Sequence, residues 1–326
     1  MNLQKERILT KPAVVWLLAM LCCALWGSAF PGIKSGYQLF QISQGNFQTQ
    51  ILFAGSRFFL AGILTVLIAS AAGGKLLLPR AASFKRIGIL SLFQTILQYI
   101  PFYIGLAYAS GVKASILVGT NVFLSILIAC LIFHQEKLTA RKLFGSVIGF
   151  SGVVLVNLSG EGFSMDFHFL GEGLILLSTV STALAAVLIK QFSKKDDPVM
   201  LNGYQFIFGG AFLMLCGFAS GGKISHWTLS GAAVLLYLAF LSAAAYSLWS
   251  ILLHYNPVSR VTVFGFMNPV FGVLLSAVIL QESRQAFGLK TMAALVLVSL
   301  GIYIVNRTAG PSLDHRRASK ISSRQT

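Results

Sequence analysis

The sequence predicts an all-α polytopic membrane protein: ten transmembrane helices as two inverted five-helix repeats, with both termini cytoplasmic. Three observations predict it. Charge is scarce and apolar residues are abundant; the apolar residues gather in runs long enough to cross a bilayer; and the two halves of the chain echo one another while basic residues alternate between the two sides of the runs.

Of 326 residues, 56% are hydrophobic and 10% are charged, with a mean hydropathy of +0.78. A soluble domain carries about 25% charge, so most of this surface has to face lipid. Helices satisfy their own backbone hydrogen bonds in hydrocarbon. A closed barrel would instead show segments of about ten residues alternating apolar and polar, and the runs here are continuous. The net charge of +16 does not point to nucleic acid, because the basic residues lie between apolar runs or in the tails.

A crossing needs about 20 mainly apolar residues. Ten runs meet that need, near 13–33, 49–70, 87–109, 113–133 and 142–159, then 170–190, 200–219, 229–252, 260–280 and 287–306. The division is into a cytoplasmic N-terminus (1–12), a first repeat (13–159), a second repeat (170–306) and a basic cytoplasmic tail (307–326). In the first run no small-x-small cleavage site stands out and a polar linker follows, so it reads as a retained helix rather than a signal peptide. With the N-terminus inside, 19 of the 25 basic residues fall on the cytoplasmic side, as the positive-inside rule requires. The expected location is the plasma (cytoplasmic or inner) membrane.

Residues 112–136 align with 258–282: Val112 meets Val258, Gly119 meets Gly265, Gln135 meets Gln281 and Glu136 meets Glu282. Gly152 to Asn157 then align with Gly301 to Asn306, and Gly55-Ser56-Arg57-Phe58-Phe59 with Gly203-Tyr204-Gln205-Phe206-Ile207. Five crossings per half is an odd number, so the second copy enters the membrane upside down. Inverted repeats with a midplane site are a transporter architecture.

With Ala24-Leu25-Trp26-Gly27-Ser28-Ala29-Phe30, Arg57-Phe58, Phe133 to Leu138, and Asn268-Pro269-Val270-Phe271 up to Gln281-Glu282, the chain resembles the EamA-type branch of the drug/metabolite transporter superfamily. The resemblance covers about 13–306. It implies a permease, usually an exporter of metabolites, with a central cavity between the repeats and helices 5 and 10 toward its outside. The sequence departs from the family pattern where Val122-Phe123 stands opposite Pro269, and where Glu136-Lys137-Leu138 is matched by Glu282-Ser283-Arg284.

Candidate cavity residues are Trp26, Ser28, Arg57, Gln94, Gln98, Tyr99, Tyr103, Asn121, Ser178, Thr182, Tyr246, Trp249 and Asn268. Gln94 and Gln98 share a helix face, being four apart. Polar faces turn away from lipid, to line a cavity or to bond neighbouring helices. Arg57 is the strong intramembrane charge, read either as a contact to a substrate carboxylate or a gate or as a side chain snorkelling to the outer interface. Glu136 and Glu282 are helix-end or gate candidates, and Pro31, Pro101 and Pro269 are candidate kinks. Gly145 and Gly149 permit close helix approach, within the chain or in a homodimer.

Cys22, Cys23, Cys130 and Cys216 lie in apolar runs without metal or disulfide spacing. No Walker loop, zincin motif or nucleophile elbow is visible, so neither an enzyme nor a cofactor nor a metal is expected. The partners expected are membrane lipid and a small-molecule substrate. The leading function is a secondary transporter for a small metabolite such as an amino acid or related compound, working by alternating access. The alternatives are a lipid or lipid-linked-sugar flippase and a non-transporting membrane sensor.

Overall fold

The computed structural model describes residues 3–43, 45–109, 111–157, 168–279 and 289–307. Glu282 and the basic tail beyond Arg307 lie outside the described residues. Among those described there are helices and no strand. A short α1 (Leu3–Leu9) precedes α2 (Pro12–Leu39) and α3 (Phe47–Gly73). Helix α4 (Phe84–Leu90) passes through a π-helical stretch, Ser91–Ile96, into α5 (Leu97–Tyr108). The first half ends with α6 (Gly111–Gly119), α7 (Asn121–Leu127, continued by a π turn Ile128–Ile132) and α8 (Ala140–Asn157). The second half contains α9 (Leu174–Phe192), α10 (Pro198–Ala219) and α11 (Leu229–Tyr255). It closes with α12 (Val258–Thr262), a 3-10 stretch Val263–Phe266, α13 (Met267–Ile279) and α14 (Leu289–Arg307).

Among the described residues six helices are long and apolar enough to cross a membrane by length and composition; Ile116–Ile132 and Met292–Arg307 are shorter apolar helices. The outer surface carries exposed Leu17, Leu67, Phe212, Leu215 and Phe218, as a lipid-facing surface does. Helix boundaries differ most from the sequence reading at α2. It runs to Leu39 rather than ending near residue 33, so Lys34 and Tyr37 are helical. The apolar run stops earlier, but the backbone continues because Tyr37 packs on Phe53 at 5.6 Å between ring centroids.

Helices α3 and α10 are joined through glycines. A Cβ on Gly55 would stand 2.5 Å from Met214 N and 2.9 Å from Gly210 O, and one on Gly210 would stand 2.4 Å from Phe59 N and 3.0 Å from Gly55 O. Gly62 lies against Gly203 O in the same way, at 2.6 Å. The higher the number on α3, the lower its partner's on α10, so the pair is antiparallel. The spacing of seven (Gly55 and Gly62; Gly203, Gly210 and Gly217) keeps one bare stripe facing the partner. Without side chains between them the two backbones approach closely, which is how apolar helices associate in lipid. The register Gly55 on Gly203 converts the contact Gly55–Gly210 into Gly203–Gly62, which is also observed.

The same reciprocity holds for α8 and α14. Gly301 O approaches a Gly145 Cβ to 3.1 Å, and Ala294 O approaches a Gly152 Cβ to 2.8 Å. The register Gly152 on Gly301 interchanges these two contacts. Gly149 is filled by the Phe266 ring at 2.5 Å. The Gly145/Gly149 face is therefore occupied within the chain, and a homodimer through it would have to displace α14.

Backbone irregularities occupy matching places in the two halves. Helix α6 stops at Gly119 and α7 starts at Asn121, with Thr120 Oγ1 donating to Leu117 O at 2.6 Å. In the partner run the 3-10 stretch 263–266 precedes Pro269, whose ring nitrogen has no hydrogen to offer the preceding turn. The two interruptions meet: the position of a Gly265 Cβ is 3.6 Å from Val122 Cγ2.

Candidate functional site

Side chains from α2, α3, α5 and α11 converge, and α2 meets the 3-10 stretch where Cys23 Sγ donates to Phe264 O at 3.2 Å. Trp26 packs edge-on against Tyr246 at 5.1 Å and Trp249 at 4.9 Å between ring centroids. The hydroxyls of Tyr99 and Tyr246 are hydrogen-bonded at 2.8 Å. Tyr99 also lies 4.4 Å from the Phe58 ring and 6.3 Å from Tyr103. Gln98 lies near enough to act on the Tyr246 hydroxyl. Phe58 stacks on Phe206 at 5.0 Å, which joins the halves at equivalent positions.

Arg57 belongs to this cluster. Its side chain is buried, 5% exposed, and does not snorkel to the surface. The guanidinium folds over the Phe58 ring at 4.3 Å, and its field reaches the phenols of Tyr37, Tyr99 and Tyr246. Tyr37, absent from the sequence-based set, enters because α2 is longer than its apolar run.

Several buried polar atoms make no hydrogen bond: Trp26 Nε1, Arg57 Nε and Gln98 Oε1 in this cluster, Gln94 Oε1 one helical turn before Gln98, Asn268 Oδ1 on α13, and Gln135 Oε1, His254 Nδ1 and Asn256 Oδ1 elsewhere. Buried polar groups in folded proteins nearly always find partners. Trp26 Nε1, Arg57 Nε and Gln98 Oε1, donors and an acceptor around one ring cluster, mark a place that a polar solute or water completes.

Other predicted residues are held elsewhere. Ser28 donates to Leu25 O at 2.7 Å or pairs with the exposed Tyr237 hydroxyl at 2.7 Å. Ser178 donates to Gln98 O at 2.5 Å, and Thr182 to Ser178 O at 2.9 Å. Asn121 accepts from Ser125 Oγ at 3.1 Å. Ser178 and Ser28 thereby join neighbouring helices, whereas Thr182 and Asn121 bond within their own helix. Pro31 lies inside a helix that continues past it, and Pro101 lies inside α5 just after the π-helical stretch.

A second group of polar residues lies at the end of the bundle near the N-terminus, where Asn256 Nδ2 donates to Leu9 O at 3.0 Å. Glu136, 7% exposed, accepts from the backbone N–H of Ser259 at 3.1 Å and from the Ser259 hydroxyl. It also pairs with Lys142 Nζ at 2.7 Å. Ser259 lies in the first turn of α12, where backbone N–H groups lack helical partners and favour negative charge. Gln135 Nε2 donates to Val187 O at 3.3 Å and Gln191 Oε1 at 3.2 Å. Lys190 Nζ donates to Leu253 O at 3.0 Å and Asn256 O at 2.7 Å, at the C-terminus of α11.

Asp196 accepts from Ser83 Oγ at 2.7 Å and forms an ion pair with Arg86. Burial raises the Asp196 carboxyl, but the hydrogen bonds from Arg86 and Ser83 and the charges of Arg86 and Arg80 outweigh it and hold it below the ordinary range. Glu136–Ser259, Gln135–Gln191 and Ser83/Arg86–Asp196 each join the first half to the second. Sequence reading named Glu136 as a gate candidate and counted Lys142 and Lys190 only among the cytoplasmic basic residues, giving no site role to them or to Ser259. Among the described residues no group of three or more His, Cys, Asp or Glu is placed to hold a metal.

The sequence pattern of the EamA-like transporter family matches residues 14–158 and again 169–307. The chain is 27% identical over 307 residues to the uncharacterized transporter YvbV of Bacillus subtilis, covering 91% of this chain and 93% of that one. It is 28% identical over 300 residues to an uncharacterized transporter of Archaeoglobus fulgidus, covering 90% and 98%. A WAT1-related chloroplastic protein of Arabidopsis thaliana is 24% identical over 215 residues, covering 63% of this chain and 51% of that one. One solved structure, titled as the crystal structure of a protein, superposes with a TM-score of 0.74 and 18% identity, covering 91% of this chain and 98% of that chain. At that identity the likeness shows the fold alone. A double match spanning nearly the whole chain is decisive: this chain belongs to the EamA-like transporter family.

Proposed function

We propose that the chain is a permease that moves a small organic metabolite, such as an amino acid or related compound, outward across the plasma (inner) membrane by alternating access. In this reading ten helices cross the bilayer as two inverted repeats with both termini cytoplasmic. The reciprocal glycine contacts support the inversion, and the distribution of basic residues supports the orientation.

The observation that carries the reading is a ring cluster holding the partnerless Trp26 Nε1, Arg57 Nε and Gln98 Oε1, with α2 packed against the interrupted run at Phe264. Paired interruptions at corresponding positions are a mark of transporter substrate sites. The clasps around Glu136, Gln135 and Asp196 then close the cytoplasmic end. Glu136 acts as a gate residue, holding the first turn of α12 to the first repeat until transport requires release.

Flux measured in proteoliposomes with a wide solute panel tests this. Movement of at least one small solute above empty liposomes is expected. Scrambling of fluorescent lipid without solute flux would favour a flippase, and folded protein that moves neither would end the transporter reading of the site.

A further inference from the structure

We infer that Arg57 binds the negatively charged group of the transported solute, and that the solute is a small organic carboxylate with a flat apolar body rather than a cationic or neutral compound. This rests on the permease reading above and names its substrate class.

The pseudo-symmetry provides a comparison within one molecule. The register that places Gly55 on Gly203 places Arg57 on Gln205 and Phe58 on Phe206. Gln205 is fully buried and fully engaged. Its Oε1 accepts from Thr95 Oγ1 at 2.7 Å and its Nε2 donates to Asn202 Oδ1 at 3.4 Å. Arg57, at the equivalent place, is a cation with no ion pair and no side-chain hydrogen bond among the described residues. Packing alone is satisfied by a neutral amide on one side of the axis. On the other side the chain holds a permanent charge, at a depth where charge is expensive unless it meets a counter-charge or water.

The surroundings define what the counter-charge arrives on. The guanidinium rests on Phe58, and beyond it lie the rings of Tyr99, Tyr246 and Trp26. The Tyr37 hydroxyl, beside that of Tyr103, lies near the same cation and can share a carboxylate. A guanidinium offers several N–H groups in a fork that suits a carboxylate. The ring faces suit a planar apolar body. An ammonium group brought to this place would meet Arg57 with like charge.

Two matched probe sets share a body and differ only in charge: phenylacetate, phenylacetamide and phenethylamine, and indole-3-acetate, indole-3-acetamide and tryptamine. Flux of each is measured at pH 7 in proteoliposomes holding the full chain, with Arg57→Gln and Arg57→Lys beside the wild type. At least a tenfold preference for the carboxylates is expected. Arg57→Gln should abolish that preference, and Arg57→Lys, which keeps the charge, should retain part of it. Thermal unfolding of each variant in detergent separates a lost site from a lost fold. Equal handling of the three charge states, a preference for the amines, or wild-type selectivity in a folded Arg57→Gln overturns the inference and leaves the permease reading intact. Absence of movement of all six probes by folded protein also overturns it, and the permease reading then rests on the wider solute panel.

Discussion

The carboxylate of Glu136 accepts the backbone N–H of Ser259 at 3.1 Å, across 123 residues of sequence. One side chain at the end of the fourth helical run thereby caps the first turn of the ninth, and Lys142 balances its charge. Glu136→Ala leaves Lys142 buried without its anion, and breaking a buried pair this way costs about 3 to 5 kcal/mol. Chemical unfolding in detergent should show that loss. Glu136→Ala combined with Lys142→Met should recover much of it, and strict additivity of the two changes would contradict the pairing.

Glycines on α3 and α10 separate two effects that a single substitution type would confuse. Gly210→Val places carbon against the Phe59 backbone, 2.4 Å from its nitrogen, and the helix pair cannot close. Monodisperse protein should be lost. Gly88→Ala meets nothing within 4 Å, and removing glycine from a helix interior stabilises by about 0.5 to 1 kcal/mol. Size-exclusion profiles and melting temperatures of the two variants distinguish these outcomes.

Asp196 sets a pH dependence of known sign. Its carboxyl is held below its ordinary range in the folded chain, so the unfolded chain takes up the proton first on acidification. The clasp to Ser83 and Arg86 contributes fully above the unfolded carboxyl's pKa, about 3.9. That contribution fades as pH falls through the lower folded value. Asp196→Asn should flatten the acid limb of a stability-against-pH curve, leaving stability lower near neutrality. A curve unchanged in shape would show that the clasp does not contribute.

Arg57→Gln should unfold at higher temperature than the wild type without solute. A partnerless buried donor costs about 1 to 3 kcal/mol, and the glutamine removes the charge that needs a counter-ion. A site tuned for binding commonly carries such a cost. A clear drop in melting temperature would mean that Arg57 holds the fold rather than the solute.

The all-helical frame was legible because an apolar run is a local property: some 20 apolar residues announce themselves whatever they touch, and among the described residues six helices are long and apolar enough to cross a membrane. The position of Arg57 inside a run was legible in the same way, but whether its side chain snorkels to the interface was not; the fold buries it. The end of α2 did not, since Lys34, Gly36 and Tyr37 read as a linker and are held helical by the distant Phe53. Ser259, Lys142 and Lys190 were missed for a related reason. Each looked like an ordinary interface residue, and its role depends on which helix end lies opposite after folding. Ser178, Thr182 and Asn121 show the reverse case, polar residues whose side chains are taken up by bonds to a neighbouring helix (Ser178) or within their own helix (Thr182 and Asn121).

Locking the end of the bundle near the N-terminus tests the account most directly. Gln135 and Gln191 belong to different halves, and their side chains touch at 3.2 Å. The pair Gln135→Cys and Gln191→Cys, in a chain whose four native cysteines are replaced, can be bridged by oxidation and reopened by reductant. Alternating access predicts that oxidation stops flux in proteoliposomes and that reduction restores it. Flux that continues undiminished through the bridged protein would contradict the account.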